Sequence, residues 1–240
     1  MSVRRLRRSV SKAILSVRYP RFAEKLKELG YDVIPTEKVG CLIDYEQDHA
    51  DMQCLILDDT AFVLSCCDKL ANALKSVCNV VMCADDIRHN YPLNVPLNAA
   101  QVGKMIICRT DILDKQASEY ARRNNYELIH VRQGYAKCSC AVVSDRAIIT
   151  ADHGIERTLK GSKIDVLLTE QGRVRLDGAD YGFIGGASGY DRASRTLYFT
   201  GNIRKHPDYE RINRLCTNHG TKIVSLTDDE LIDIGGIIIR

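Results

Sequence analysis

The chain has 240 residues, 45% hydrophobic and 27% charged, an ordinary globular composition with enough apolar content to bury a sizeable core. No apolar run approaches the roughly 18 residues that a membrane span needs. The apolar stretch at residues 13–17 is too short for a signal-peptide core, so the expected location is cytoplasmic. The net charge is +3, and Arg4, Arg5, Arg7 and Arg8 crowd the first eight residues. Without them the body is close to neutral, so residues 1–11 read as a flexible basic arm and residues 12–240 as a single domain. The eleven tyrosines are scattered rather than interleaved with Lys and Arg, and no specific nucleic-acid partner is expected. Most of the ten cysteines sit in apolar segments, as Cys54, Cys78, Cys108 and Cys216 do. They read as buried thiols of a reducing compartment rather than as disulfide staples.

In chain order, one segment type recurs: a helix, a short β-branched strand, a polar loop, then an apolar strand that hands over to the next helix. The first helix is RFAEKLKELG, with Phe22, Leu26 and Leu29 on one face and Gly30 closing it; YDVIP follows. The second is CDKLANALKSV, with Leu70, Leu74 and Val77 at helical spacing, leading into NVVMCA. The third, DILDKQASEYARRN, takes Asp111 as its N-cap and runs into YELIHV. The fourth starts near Asp152 in DHGIERTLKGS and precedes KIDVLLT. The fifth, HPDYERINRLCTNHG, has Pro207 in its first turn, Gly220 at its end and TKIVSL after it. The remaining strands are CLILDDTAFVLS, KMIICRT, CAVVSDRAIIT, TLYFTGN and GGIII. The first and third of these read as hairpins turning at Asp58-Asp59 and Ser144-Asp145.

Handovers from strand to helix near Leu64, Cys108, Thr150 and Thr200 recur roughly every 45 residues. The last unit stops at GGIIIR without a handover, whereas KAILSV near the start leads straight into the first helix. Pairing residues 12–17 with the fifth unit closes a ring and leaves no unit with a bare edge. The alternative is an open doubly wound sheet, which generic strand–helix alternation also produces. The hairpins argue against it, and no Gly-x-Gly-x-x-Gly follows a strand to hold a dinucleotide phosphate.

A closed ring brings one loop of each unit to its axis: HADM (49–52), LNAA (97–100), AKCS (136–139), GGAS (185–188) and DIGG (233–236). Small residues let backbones approach there, and a concave centre with a few polar groups is the default ligand site. Asp51, Asn98, Lys137, Ser188 and Asp233 are the candidate ligand-binding residues. Cys138 is the thiol with a chemical case, because the neighbouring Lys137 ammonium favours thiolate. A nucleophilic role needs a base, for which His49 and His153 are the candidates. Alternation along a strand sets Cys138 and Cys140 on one face, but one Cys-x-Cys lacks the other ligands of a closed zinc site. No metal or cofactor is expected. YGFIGGASG carries no P-loop lysine and precedes no helix, which argues against a nucleotide-phosphate loop. Asn202 and His206 are explained as helix-start residues, and His89, His130 and His219 fall in no constellation.

The motifs QGYAKCS (133–139), YGFIGGASG (181–189), FTGN (199–202), HPDY (206–209) and DIGG (233–236) together resemble an uncharacterised bacterial branch of the pentein fold. That superfamily contains the arginine and agmatine deiminases, amidinotransferases and dimethylarginine hydrolases, and the likeness spans residues 12–240. It implies an α/β fold, a propeller of five pseudo-symmetric ββαβ-like units closed by the N-terminal strand. The superfamily's enzymes use a cysteine late in the last unit as nucleophile, a histidine as acid/base, and carboxylates that grip a guanidinium. The resemblance implies that carboxylate role for Asp51 and Asp233, which suits the bidentate hydrogen bonding of a planar cation. No cysteine follows Asp233, so the nucleophile has no counterpart there.

Three readings stay open, in this order. The first is a protein that binds or senses a small amino-acid- or guanidino-like molecule in a polar axial cavity, Lys137 favouring one that bears a carboxylate. The second is a hydrolase or transferase acting on guanidino or amidine compounds through Cys138. The third is a non-catalytic structural or protein-interaction ring. Oligomeric state leaves no signature in the sequence.

Overall fold

The computed structural model describes residues 11–83 and 90–240. The arginines of the basic arm and His89 lie outside the described residues. Five apolar runs form the middle strands, which read as continuous hydrophobic stretches because they are covered on both faces. They are β4 (Thr60–Leu64), β7 (Met105–Cys108), β10 (Ala147–Thr150), β13 (Thr196–Phe199) and β1 (Lys12–Leu15). Each leads into a helix: α3 (Asp68–Leu74), α4 (Lys115–Arg123), α6 (His153–Leu159), α7 (Tyr209–Asn218) and α1 (Pro20–Glu28). The helix buries one apolar stripe, such as Phe22 and Leu26 of α1. It then returns the chain to a parallel, half-exposed edge strand. These are β5 (Asn79–Cys83), β8 (Glu127–His130), β11 (Asp165–Leu168), β14 (Lys222–Ser225) and β2 (Asp32–Pro35).

On the far side of each middle strand lies an antiparallel first strand: β3 (Cys54–Leu57), β6 (Ala100–Val102), β9 (Cys140–Ser144), β12 (Ser188–Asp191) and β15 (Ile238–Ile239). The result is five three-stranded sheets with one common order, first–middle–edge. Four come from contiguous sequence and are counted here as units one to four from β3 onward. The fifth draws on both ends of the chain. β1 pairs parallel with β2 and antiparallel with β15, Ala13 facing Ile239 and Ile14 facing Ile238. The ring therefore closes as expected, in a pentein-type α/β-propeller.

Several local expectations change. The first strands are innermost: β6 packs on β9, β9 on β12 and β12 on β15. Hairpins occur in units two and four as well, where AQV and SGYD are too short and too mixed to show an alternation. The N-cap of α4 is Asp114, whose carboxylate accepts from Ala117 N at 2.9 Å; Asp111 pairs with Arg109 instead. Pro207 precedes Asp208, the N-cap of α7. Leu29 falls past the last turn of α1 and is 51% exposed. Two single-turn helices, α2 (Ala50–Gln53) and α5 (Ala136–Ser139), precede β3 and β9 and position the axial residues. Among the described residues, no helix is long and apolar enough to cross a membrane.

Candidate functional site

The five axial segments do converge, each just ahead of its unit's first strand. α2 presents Asp51, which is 1% exposed. Its Oδ2 accepts a hydrogen bond from Cys138 Sγ at 2.9 Å, while Oδ1 is buried without a hydrogen-bond partner among the described residues. Asn98, between them, holds the neighbouring turn. Its Oδ1 accepts from Lys137 N at 2.7 Å and Cys138 N at 3.2 Å, and its Nδ2 lies 3.2 Å from Cys138 Sγ and 3.3 Å from the Asp51 carbonyl. Units one, two and three are thus tied by three side chains.

Units four and five meet by backbone and by one carboxylate, Asp233. Gly186 N donates to Cys138 O, and Gly186 O accepts from Ile234 N and Gly236 N, at 2.8–3.0 Å. A Cβ on Gly186 would sit 1.9 Å from Asp233 Oδ1, so only glycine fits. Asp233 is 1% exposed; its two oxygens accept from Phe183 N at 2.8 Å and Gly235 N at 2.9 Å. Gly235 has φ +73° and faces the His49 side chain, which a Cβ there would meet at 2.2 Å. Lys137 Nζ and Ser188 Oγ both donate to the Gly185 carbonyl, each at 3.2 Å.

Burial sets the protonation of this centre. It pushes the Asp51 carboxyl up to about 7, with the Lys137 charge pulling down and the Asp233 charge pushing up. It holds the Cys138 thiol well above its ordinary range, reinforced by the Asp51 and Asp233 charges. Burial also lowers the His49 imidazole, against the opposing pull of Asp233. At neutral pH Cys138 is therefore a protonated thiol and His49 a neutral ring, in contrast to the thiolate expected beside Lys137. Among the described residues, the hydrogen-bond partners of the Cys138 side chain are Asp51 and Asn98, and neither His49 nor His153. His153 opens α6 at the surface, in a separate groove with Tyr181 and His206. Cys140 does not share a strand face with Cys138. It begins β9 and packs into an apolar cluster with Ala100 and Ile148, whereas Cys138 sits in the α5 turn.

A cavity of about 330 Å³ runs along the axis beside this polar centre. The first strands wall it with Leu55, Ala99, Val142, Ile237 and Ile239, and Lys137 and Ser188 line it where β9 and β12 begin. Asp191, Arg192 and Arg240, at the far ends of β12 and β15, also line it. Of the ligand-binding candidates, Lys137 and Ser188 line this channel. Asp51, Asn98 and Asp233 use most of their hydrogen bonds to hold neighbouring turns. Among the described residues there is no group of three or more His, Cys, Asp or Glu arranged to hold a metal ion.

Sequence reasoning missed a second buried cluster one loop away. Asn94, fully buried, donates to Glu46 Oε2 at 3.1 Å and lies 3.0 Å from the Tyr135 hydroxyl. Burial raises the Glu46 carboxyl while Tyr135 and Asn94 oppose the rise. Each of the three stands three to five residues ahead of an axial residue, Asp51, Asn98 or Cys138. That shared offset was the available signal.

Comparisons with known proteins agree with this architecture. Three solved structures share the fold: DDAH from Pseudomonas aeruginosa, a cysteine-to-serine mutant complexed with citrulline (8% identity, TM-score 0.53, 90% of each chain); agmatine deiminase from C. jejuni (10%, 0.51, 91% of this chain and 87% of that one); and SxtG, an amidinotransferase from Microseira wollei in the saxitoxin biosynthetic pathway (10%, 0.52, 90% and 88%). No curated protein sequence matches the chain. A family model, described as a family of unknown function (DUF6873), matches residues 14–238. The chain belongs to that family, a branch with the pentein fold.

Proposed function

We propose that the protein binds a small carboxylate-bearing molecule, amino-acid-like in character, in the axial channel. One observation carries this reading: the Lys137 ammonium lines a cavity whose walls are largely apolar first-strand residues. An ammonium has three donors, and among the described residues Lys137 Nζ has one hydrogen-bond acceptor, Gly185 O. A ligand carboxylate at Lys137 and Ser188 supplies acceptors in a partly desolvated setting, where charge-assisted bonds are strongest. An aliphatic stem suits Ala99, Val142 and Ile237, and a polar head reaches the end lined by Asp191, Arg192 and Arg240. One solved structure with this fold, the DDAH mutant, holds citrulline, a carboxylate-bearing amino acid, as its name says. A hydrolase working through Cys138 is less well supported, because the thiol is held protonated and donates to Asp51.

Titration calorimetry with arginine, citrulline and agmatine tests the reading, agmatine being arginine without its carboxylate. The expected result is saturable binding of one or both carboxylates, none of agmatine, and loss of binding in Lys137→Met. Agmatine binding as tightly as arginine, or unchanged binding by Lys137→Met, contradicts it.

A further inference from the structure

Away from the axis, the loop from Thr36 to His49 is fastened to the start of α3. Glu37 reaches across to accept from Lys69 N at 2.9 Å and Leu70 N at 3.1 Å, two free N–H groups of that helix. Beside this contact, Cys41 of the loop and Cys66 of the β4–α3 turn bring their sulfurs to 3.4 Å. Cys66 is exposed and Cys41 half-buried, and both are free thiols. A disulfide of about 2.05 Å needs the sulfurs to close by little more than an ångström, between a loop and a turn rather than between packed strands. The other buried cysteines lack this combination of a neighbouring sulfur and open access.

We infer that Cys41 and Cys66 form a reversible dithiol–disulfide site that clamps the 36–49 loop onto the first turn of α3 when a peroxide is present. The exposed Cys66 reacts first. Its thiolate sulfur attacks a peroxide oxygen, the O–O bond breaks, and Cys66 becomes a sulfenic acid as one water leaves. The Cys41 sulfur then attacks Cys66 Sγ. The S–O bond breaks, the S–S bond forms, and the departing hydroxide takes the Cys41 proton as a second water. Two thiols lose two electrons and hydrogen peroxide gains them; a small dithiol reverses the change. The order of events agrees with Cys41 being pushed up to about 11, by burial and by the Cys66 sulfur, which makes it the later partner. Cys67, adjacent in sequence, is buried with its thiol also raised by burial and is a bystander. The loop leads directly into His49 and α2, so the clamp fixes the segment that delivers Asp51 to the axis.

The test uses the full chain, fully reduced, then treated with one equivalent of hydrogen peroxide, alkylated in denaturant and mapped by mass spectrometry. The expected result is the loss of two of the ten alkylatable thiols, a cross-linked peptide pair joining Cys41 to Cys66, and full reversal by dithiothreitol. The oxidised chain should melt higher, by roughly 5 °C. In Cys41→Ser, Cys66 should instead accumulate as a sulfenic acid that dimedone traps. A Cys66–Cys67 bridge, a disulfide between chains through Cys66, or a Cys41 still fully alkylatable after Cys66 is oxidised overturns the inference. So does a zinc ion held stoichiometrically by the reduced pair.

Discussion

Units one to three and units four to five solve the same problem by different means. Each must bring a turn to a crowded axis while pairing its buried backbone N–H and C=O groups. Units one to three use side chains: Asp51, Asn98 and Cys138 bond to one another and to the turns beside them. Units four and five rely mainly on backbone, with Gly185, Gly186 and Gly235 pressed against carbonyls, the Asp233 carboxylate and the His49 side chain. The side-chain half has adjustable donors and acceptors, whereas the glycine half has no slack. The asymmetry also locates the channel, because Lys137 lies where the two halves meet and its ammonium bonds to a glycine carbonyl.

The glycine half should break most severely. A Cβ at Gly185 would lie 2.3 Å from Lys137 O, 2.5 Å from Cys140 O and 2.6 Å from Cys138 O, all of them backbone atoms. Gly185→Ala is expected to cost more than about 4 kcal/mol and to yield little folded protein, as read by denaturant titration. A melting point within a few degrees of the parent would show that the axis is looser than described. On the side-chain half, Asn98→Ala removes the acceptor of two buried N–H groups, Lys137 N and Cys138 N. The expected loss is about 2–4 kcal/mol, measured by the same titration.

The next effect has a pH signature. Asp51 titrates near 7 in the folded chain and near 3.8 when exposed. A raised carboxyl pKa means that the folded state holds the proton more tightly, so this group's favourable share is full below pH 4. It declines as the pH rises towards 7 and is gone above that. Asp51→Asn keeps the neutral shape and removes the titration. The variant should be more stable than the parent by about 1–3 kcal/mol at pH 8.5, and no more stable at pH 4. Parallel stability–pH curves for the two proteins would contradict the burial of Asp51. The smallest effect belongs to Cys138→Ser. The hydroxyl keeps a donor for Asp51 and an acceptor for Asn98, so the cost should stay within about 1 kcal/mol; a larger shift in urea midpoint would mean that the thiol's volume matters more than its hydrogen bonds.

Much of the ring was legible in the sequence because its signals are local. The apolar middle strands, the closing glycines Gly30 and Gly220 and the small-residue segments ahead of the first strands all sit within a few residues of what they determine. Closure was legible because KAILSV stands before the first helix and GGIIIR has no helix of its own. The roles within the axis were not. Whether Cys138 points at a ligand or at Asp51 depends on α5 being a helical turn rather than the beginning of β9, and four residues carry too little periodicity to say so. The pairing of Cys41 with Cys66 spans 25 residues and follows from the loop's path, for which no spacing rule exists. Glu46, Asn94 and Tyr135 left one weak signal, their place a few residues ahead of Asp51, Asn98 and Cys138, but their contact forms only after three units have assembled.

The central claim is that the axial channel, lined by Lys137, is a binding site. Its most direct test is a crystal structure of the protein with whichever carboxylate binds in solution. The account predicts ligand density within the channel, with a carboxylate oxygen about 3 Å from Lys137 Nζ and the Asp51–Asn98–Cys138 bonds intact. Density on the Asp51 and Asp233 carboxyls with the channel unoccupied, or a ligand seated in the groove of His153 and His206, would contradict it.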